Sequence, residues 1–170
     1  MELHEDSIVL RSWREDDAAA VHAACQDPEI QYWISAIPRP YTLDDAQAFV
    51  READIPGRQQ FAMVEHGRVV GAIDLRVDPS DTGRIGYWCV RDARGRGIMT
   101  RALRRLCRYA LDERGLGRLE LITDPDNLAS QRVAANVGFR REGVLRSHLA
   151  HPDGRRRDSV MFSLLPGEIS

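Results

Sequence analysis

Apolar residues alternate with polar ones along some stretches of this chain and recur every three to four residues along others, and the two periods sort it into strands and helices. "SIVLRSW" (7–13) reads as a strand. "REDDAAAVHAACQ" (14–26) reads as a helix whose first turn is acidic, where the helix dipole favours negative charge. "DPEIQYWI" (27–34) reads as a short second helix, capped by Asp27 with Pro28 in its first turn, and "IPRPY" breaks it. Thr42 caps a third helix, in which Ala46, Phe49, Val50 and Ala53 recur at helical spacing. A β run follows: 59–77 is two strands joined around His66-Gly67, and 82–90 is another strand. Met99, Leu103, Leu106, Cys107 and Ala110 then form the apolar stripe of a helix that Gly115 and Gly117 end. "RLELIT" (118–123) is a strand and 127–138 a helix closed by Gly138. The rest is a hairpin turning at Pro152-Asp153-Gly154. The predicted order β-α-α-α-β-β-β-α-β-α-β-β makes a mixed α+β domain over residues 1–170, one sheet with helices on both faces.

Composition narrows the function classes. The chain has 170 residues, 43% hydrophobic and 29% charged, which suits one ordinary globular core. A net charge of -2 argues against bulk electrostatic binding to nucleic acid. No apolar run approaches the roughly 18 residues of a membrane span, and the acidic start "MELHEDSIVLRSW" lacks the apolar centre of an export signal. Cys25, Cys89 and Cys107 are widely spaced in apolar surroundings, which reads as buried free thiols in a reducing cytoplasm, with no metal-ligand spacing. All 24 basic residues are arginine.

The arginines crowd where a strand gives way to a helix. "VRDARGRGIMTRALRRL" (90–106) places Arg94-Gly95-Arg96-Gly97 at that junction. A helix start presents unpaired N–H groups and a positive dipole end, both of which attract phosphate. Glycine at 95 and 97 permits positive φ and close approach. The residues suggest a pyrophosphate cradle built from the amides of 95 to 100, against the plainer alternative of a turn with solvated arginines. A Walker-type loop needs lysine, which this chain lacks, and a dinucleotide fingerprint needs glycine where Thr100 stands. Arg101, Arg104, Arg105 and Arg108 share one helix face, either solvated or reaching a further phosphate.

Taken together, "IGYWCVRDARGRGIMTRAL" and "DPDNLASQRVAANVGFRREGVLR" resemble the GCN5-related N-acetyltransferases, within them most nearly the RimJ/RimL-like ribosomal-protein N-terminal acetyltransferases. The resemblance runs over essentially the whole chain. It implies a central, mostly antiparallel sheet with a splayed strand pair and acetyl-CoA as co-substrate, with no metal. Arg94 and Gly97 match the family's acyl-CoA motif, whereas Met99 stands where a small residue is usual. By the same resemblance, Trp88, Cys89 and Val90 would pair with the pantetheine arm. Gly95, Arg96, Gly97, Ile98, Met99 and Thr100 would take the pyrophosphate. Asn127 and Ser130 would face the pantetheine and the sulfur. As residues alone, Asn127 is equally a helix cap and Ser130 a passive small residue.

The chemistry needs a neutral amine, a polarised carbonyl and a proton for the departing thiolate. A protein α-amine titrates near ~8 and lysine near about 10.4, so an N-terminal acceptor needs little help from a base. An amide near Val90 is the expected carbonyl polariser. Where many relatives carry a tyrosine acid this chain has Ala134, and where they carry a glutamate base it has Arg84. Ser130 is then the substitute donor to the sulfur. Asp74, His148 and His151 remain as bases, with His148 named because the last hairpin can approach the acceptor. The expected partners are acyl-CoA and an amine, either a protein N-terminus or a small amine such as a polyamine or antibiotic. A succinyl donor and a homodimer stay open, and so does a non-catalytic acyl-CoA-binding module. A nucleic-acid or membrane partner is not expected.

Overall fold

The computed structural model describes residues 1–170 apart from Pro152. Among the described residues nine strands form one sheet: β1 (Glu2–Glu5), β2 (Ile8–Arg11), β3 (Asp54–Ile55), β4 (Arg58–Glu65), β5 (Arg68–Val77), β6 (Thr82–Cys89), β7 (Arg118–Thr123), β8 (Arg140–Ala150) and β9 (Arg156–Leu164). Five α-helices accompany it: α1 (Ala18–Cys25), α2 (Pro28–Trp33), α3 (Leu43–Arg51), α4 (Ile98–Arg108) and α5 (Leu128–Val137). The strand order is β1-β2-β4-β5-β6-β7-β9-β8, with the two-residue β3 paired to β4. Every pairing is antiparallel except β6 with β7.

That one parallel pairing opens the sheet. β6 and β7 are in register only from Thr82↔Arg118 to Ile85↔Leu121. Beyond it, β6 stays with β5 as far as Gly71↔Cys89, and β7 stays with β9 as far as Thr123↔Val160. Each strand follows its own antiparallel neighbour, so the two diverge after Ile85. The splayed pair that the family resemblance implies is present.

Two apolar clusters flank the sheet. Phe61, Met63, Ile73, Leu75 and Ile85 pack under Met99, Leu103, Leu106 and Cys107 of α4 and Val137 of α5. On the opposite face, Ala72 and Trp88 pack with Val21 and Cys25 of α1, Ile30 of α2 and Ala46 and Val50 of α3. Because strand side chains alternate, Tyr87 joins the first cluster while Trp88 joins the second. Among the described residues no helix is long and apolar enough to cross a membrane.

The caps read from sequence are realised. Asp27 accepts from the Glu29 amide at 2.9 Å, with Pro28 in the first turn, and Thr42 accepts from the Asp45 amide at 3.2 Å. The helix expected over 14–26 begins as a 3-10 turn (Glu15–Asp17). Several elements were not legible, among them β1, the short β3 and the turn that lengthens α4. β1 carries only Leu3 as a buried apolar residue, and a left-handed Asp6 turns it back onto β2. A π-helical turn (Tyr109–Glu113) extends α4. The turn read at Pro152-Asp153-Gly154 lies partly outside the described residues.

Arg11 and Asp17 form a buried two-point ion pair, at 2.7 and 3.0 Å, and Asp17 also accepts from the Arg14 amide at 2.8 Å. Burial works to raise the Asp17 pKa, but the hydrogen bonds from Arg11 and Arg14 outweigh it and hold the carboxyl below its ordinary value. A carboxylate depressed in the folded state contributes stability above its unfolded pKa and loses it as pH falls through the folded one. The urea midpoint is therefore expected to drop below about pH 4. Asp17→Asn should lose about 1–2 kcal/mol at pH 7 and flatten that acid limb. An acid limb as steep as wild type would show that the pair does not couple to folding.

Candidate active site

The glycine-arginine loop runs from the end of β6 into α4. After Cys89 the chain makes a 3-10 turn (Arg91–Ala93), passes through left-handed Gly95 (φ 71°) and Gly97 (φ 73°), and enters the helix with Gly97 as its cap. A Cβ built on either glycine would meet no atom within 4 Å, so open space lies over both. Among the described residues the amides of Gly95 through Thr100 donate to nothing; the first helical bond is Arg101 N–H to the Gly97 carbonyl, 3.1 Å. Free donors, a helix start and clear space coincide at this loop, an arrangement that attracts anions.

The loop opens into a cleft of about 540 Å³ between α4, α5, α2 and the free half of β6. Trp88, Cys89, Arg94, Gly95, Gly97, Ile98, Met99, Thr100, Asn127 and Ser130 all line it. Met99, for all its unusual place in the motif, is 8% exposed and packs into the core, so it leaves the loop clear.

Two residues expected here do not line it. Val90 is turned the other way: its amide donates to the Val70 carbonyl at 3.0 Å and cannot polarise a bound carbonyl. Antiparallel alternation then aims the amides of Tyr87 and Cys89 into the β6–β7 gap. Arg96 reaches back to the buried Glu65 at 2.8 Å. Arg94 does line the cleft, yet its guanidinium is occupied. It donates to the Cys89 carbonyl at 3.0 Å, to Asp27 at 2.8 Å and to Glu29. It staples the loop to the start of α2 and leaves the backbone amides as the loop's free donors.

The helix arginines are likewise paired. Arg101 lies 3.9 Å from Glu65, Arg105 pairs with Glu113 and Arg108 with Glu5. Arg104 donates to the Ser170 and Asn136 carbonyls. None of the four lines the cleft.

At the gap, Asn127 caps α5 by accepting from the Ser130 amide at 3.0 Å. Ser130 Oγ lies 2.9 Å from the Tyr87 hydroxyl, a partnership the sequence did not reveal. Burial pushes the Tyr87 phenol up to about 12, with the Ser130 hydrogen bond pulling the other way. Burial likewise pushes the Cys89 thiol up to about 11, so it is protonated at neutral pH and is no nucleophile.

A second cleft, about 890 Å³, lies on the face of the sheet bearing α1–α3 and reaches the last hairpin. Trp33, Ile34, Tyr87, Trp88, Asn127 and Ser130 line both clefts, so they meet at the splay. Of the bases named from sequence, Asp74 and His151 line the second cleft and His148 does not. His148 Nδ1 instead pairs with Ser159 Oγ at 3.0 Å. Around His148 the register breaks between Leu145 and Leu149, with Ser147 at positive φ (53°). His151 Nε2 lies 3.0 Å from the Tyr32 carbonyl, and Arg157 stacks 4.1 Å over the Tyr32 ring. Asp74 is flanked by Arg76 at 2.7 Å and Arg58 at 3.4 Å.

Two clefts thus meet at a split in the sheet, and comparison with known proteins gives the class to which this fold belongs. Residues 7–140 match the acetyltransferase (GNAT) domain model. The uncharacterized N-acetyltransferase p20 of Bacillus licheniformis is 28% identical, covering 99% of this chain and 98% of its own. The ribosomal-protein-serine acetyltransferase of Escherichia coli is 31% identical over 90 residues, 52% of this chain and 50% of its own. The solved structure of Mycobacterium smegmatis RimJ, in complex with CoA-disulfide, superposes with a TM-score of 0.80 at 25% identity, covering 99% of this chain and 87% of that one. The chain belongs to the GNAT acetyltransferase family and is an N-acetyltransferase.

Proposed function

We propose that this protein transfers an acetyl group from acetyl-CoA to the α-amine of a protein N-terminus within a ternary complex. The observation that carries the reading is the meeting of the two clefts at Tyr87, Trp88, Asn127 and Ser130. Donor and acceptor can then react directly, with no acyl group parked on the enzyme. The names of RimJ, which is in complex with CoA-disulfide, and of the ribosomal-protein-serine acetyltransferase support the donor and the acceptor class.

Acetyl-CoA supplies an activated acyl group. The Gly95–Thr100 amides would hold its pyrophosphate, and the Tyr87 and Cys89 amides would pair with its pantetheine arm and polarise the acyl carbonyl. As the C–N bond forms and the C–S bond breaks, the amine gives up one proton and the thiolate gains one. With Tyr87 donating to Ser130 Oγ, the serine hydrogen is free to point at the sulfur. An ordinary thiol titrates near ~8.5 and Tyr87 near about 12, so full transfer from the phenol is uphill by about 5 kcal/mol. The pair therefore acts as a hydrogen-bond donor and solvent completes the protonation. The absence of a strong base suits an α-amine, which is largely ready at about pH 8.

The test is mass spectrometry of products from purified enzyme, acetyl-CoA and a panel of N-terminal peptides, polyamines and aminoglycosides. Acetylation at peptide α-amines is expected. Turnover confined to polyamines or aminoglycosides would replace the acceptor, and CoA binding without any turnover would make the protein a binding module.

A further inference from the structure

The inner end of the second cleft holds a buried acceptor that no group among the described residues meets and, beside it, a buried donor held only by an ion-pair contact. Arg58 and Gln60 lie two residues apart on β4 and so share one face, opposite Arg76 and Asp74 of β5. Gln60 is 4% exposed, and its enclosed Oε1 has no hydrogen-bond partner among the described residues. Arg58 Nε is enclosed too and makes no hydrogen bond, although it lies at ion-pair distance, 3.4 Å, from Asp74 Oδ2. Native proteins rarely leave such atoms unmet, and here an acceptor and a donor stand side by side. Both residues line the cleft, as does Asp74.

Asp74 locates this end relative to the reaction. A Cβ on Gly86 would lie 2.7 Å from Asp74 Oδ1, so only glycine lets that carboxylate lie over β6, one residue before Tyr87. Both guanidinium contacts, Arg76 at 2.7 Å and Arg58 at 3.4 Å, fall on Asp74 Oδ2, so Oδ1 has no side-chain partner among the described residues.

A secondary amide complements the pair: its N–H suits the Gln60 carbonyl and its C=O suits Arg58 Nε. A polyamine brings donors only and meets two arginines. We propose that Gln60 and Arg58 grip the first peptide bond of a peptidyl acceptor, while Asp74 receives its α-amine at the mouth of the gap. This specificity-determining seat rests on the reading of the acceptor as a protein N-terminus.

The experiment compares a tripeptide with its depsipeptide analogue, in which an ester oxygen replaces the first peptide N–H. Both are assayed at about pH 9, where both α-amines are neutral. Wild type should prefer the peptide by about tenfold in kcat/KM, because the ester leaves the Gln60 carbonyl unmet. Gln60→Met should bring that ratio near one with the KM for acetyl-CoA unchanged. The ratio is read only on active molecules, so partial misfolding does not alter it; Gln60→Leu repeats the test with a different shape. Equal rates on the two substrates with wild type, or a tenfold preference that survives in both variants, would overturn the seat and leave the N-terminal reading intact. If no peptide is acetylated while simple amines are, both fall.

Discussion

Gly97→Asp is expected to weaken CoA binding at least about a hundredfold while the domain stays folded. The carboxylate would project into the open space over the free amides, where a diphosphate must sit. Two like charges about 4 Å apart repel by roughly 4 kcal/mol at an effective dielectric of 20, ample for a hundredfold, which is about 2.7 kcal/mol. The fold should tolerate the change. A non-glycine residue at φ 73° costs about 1 kcal/mol, and an acidic cap at a helix start returns part of that. The melting temperature should move only by a few degrees. Gly97→Asn, similar in shape but neutral, should bind CoA much more tightly than the aspartate variant. Calorimetric titration of both reads the charge effect directly, and equal affinities for the two would remove the loop from the anion site.

Tyr87→Phe and Ser130→Ala are each expected to lower kcat by about ten- to a hundredfold, within the usual contribution of a positioned proton-handling group. Because the two hydroxyls touch at 2.9 Å, the double variant should be little worse than either single one. The KM for acetyl-CoA should stay within about threefold, since the amides of the loop are untouched. With the phenol pushed up to about 12, the alkaline limb of the kcat profile should carry no ionisation of Tyr87 below about pH 11. Fully additive losses would mean that the hydroxyls act separately.

What could be read from the sequence was local, and what could not depended on distant partners. Gly97, the Thr42 and Asp27 caps and the stripe of α4 announce themselves within a few residues, because backbone torsion and helical period are short-range properties. That the Arg94 guanidinium is already engaged could not be read, because its partners Asp27 and Glu29 lie more than sixty residues away. Val90 looked available because only the β5 register shows that its amide is already used. Of the two hairpin histidines named as bases, only His151 lines the second cleft, because where the hairpin meets the helices is set by partners distant in sequence. Ser130 was legible as a site residue, but Tyr87 as its partner was not, since strand and helix meet there only in three dimensions.

The sheet is a single hydrogen-bonded surface at one end only. Four register pairs, Thr82↔Arg118 through Ile85↔Leu121, are the whole seam between its two halves, and past them the halves part like an unfastened zip. An extended ligand arm lying in the opening would close the seam from within. Amide protons of Tyr87 and Cys89 on one side, and of β7 on the other, should then slow their exchange with solvent together when the cofactor arrives, reporting its entry independently of turnover.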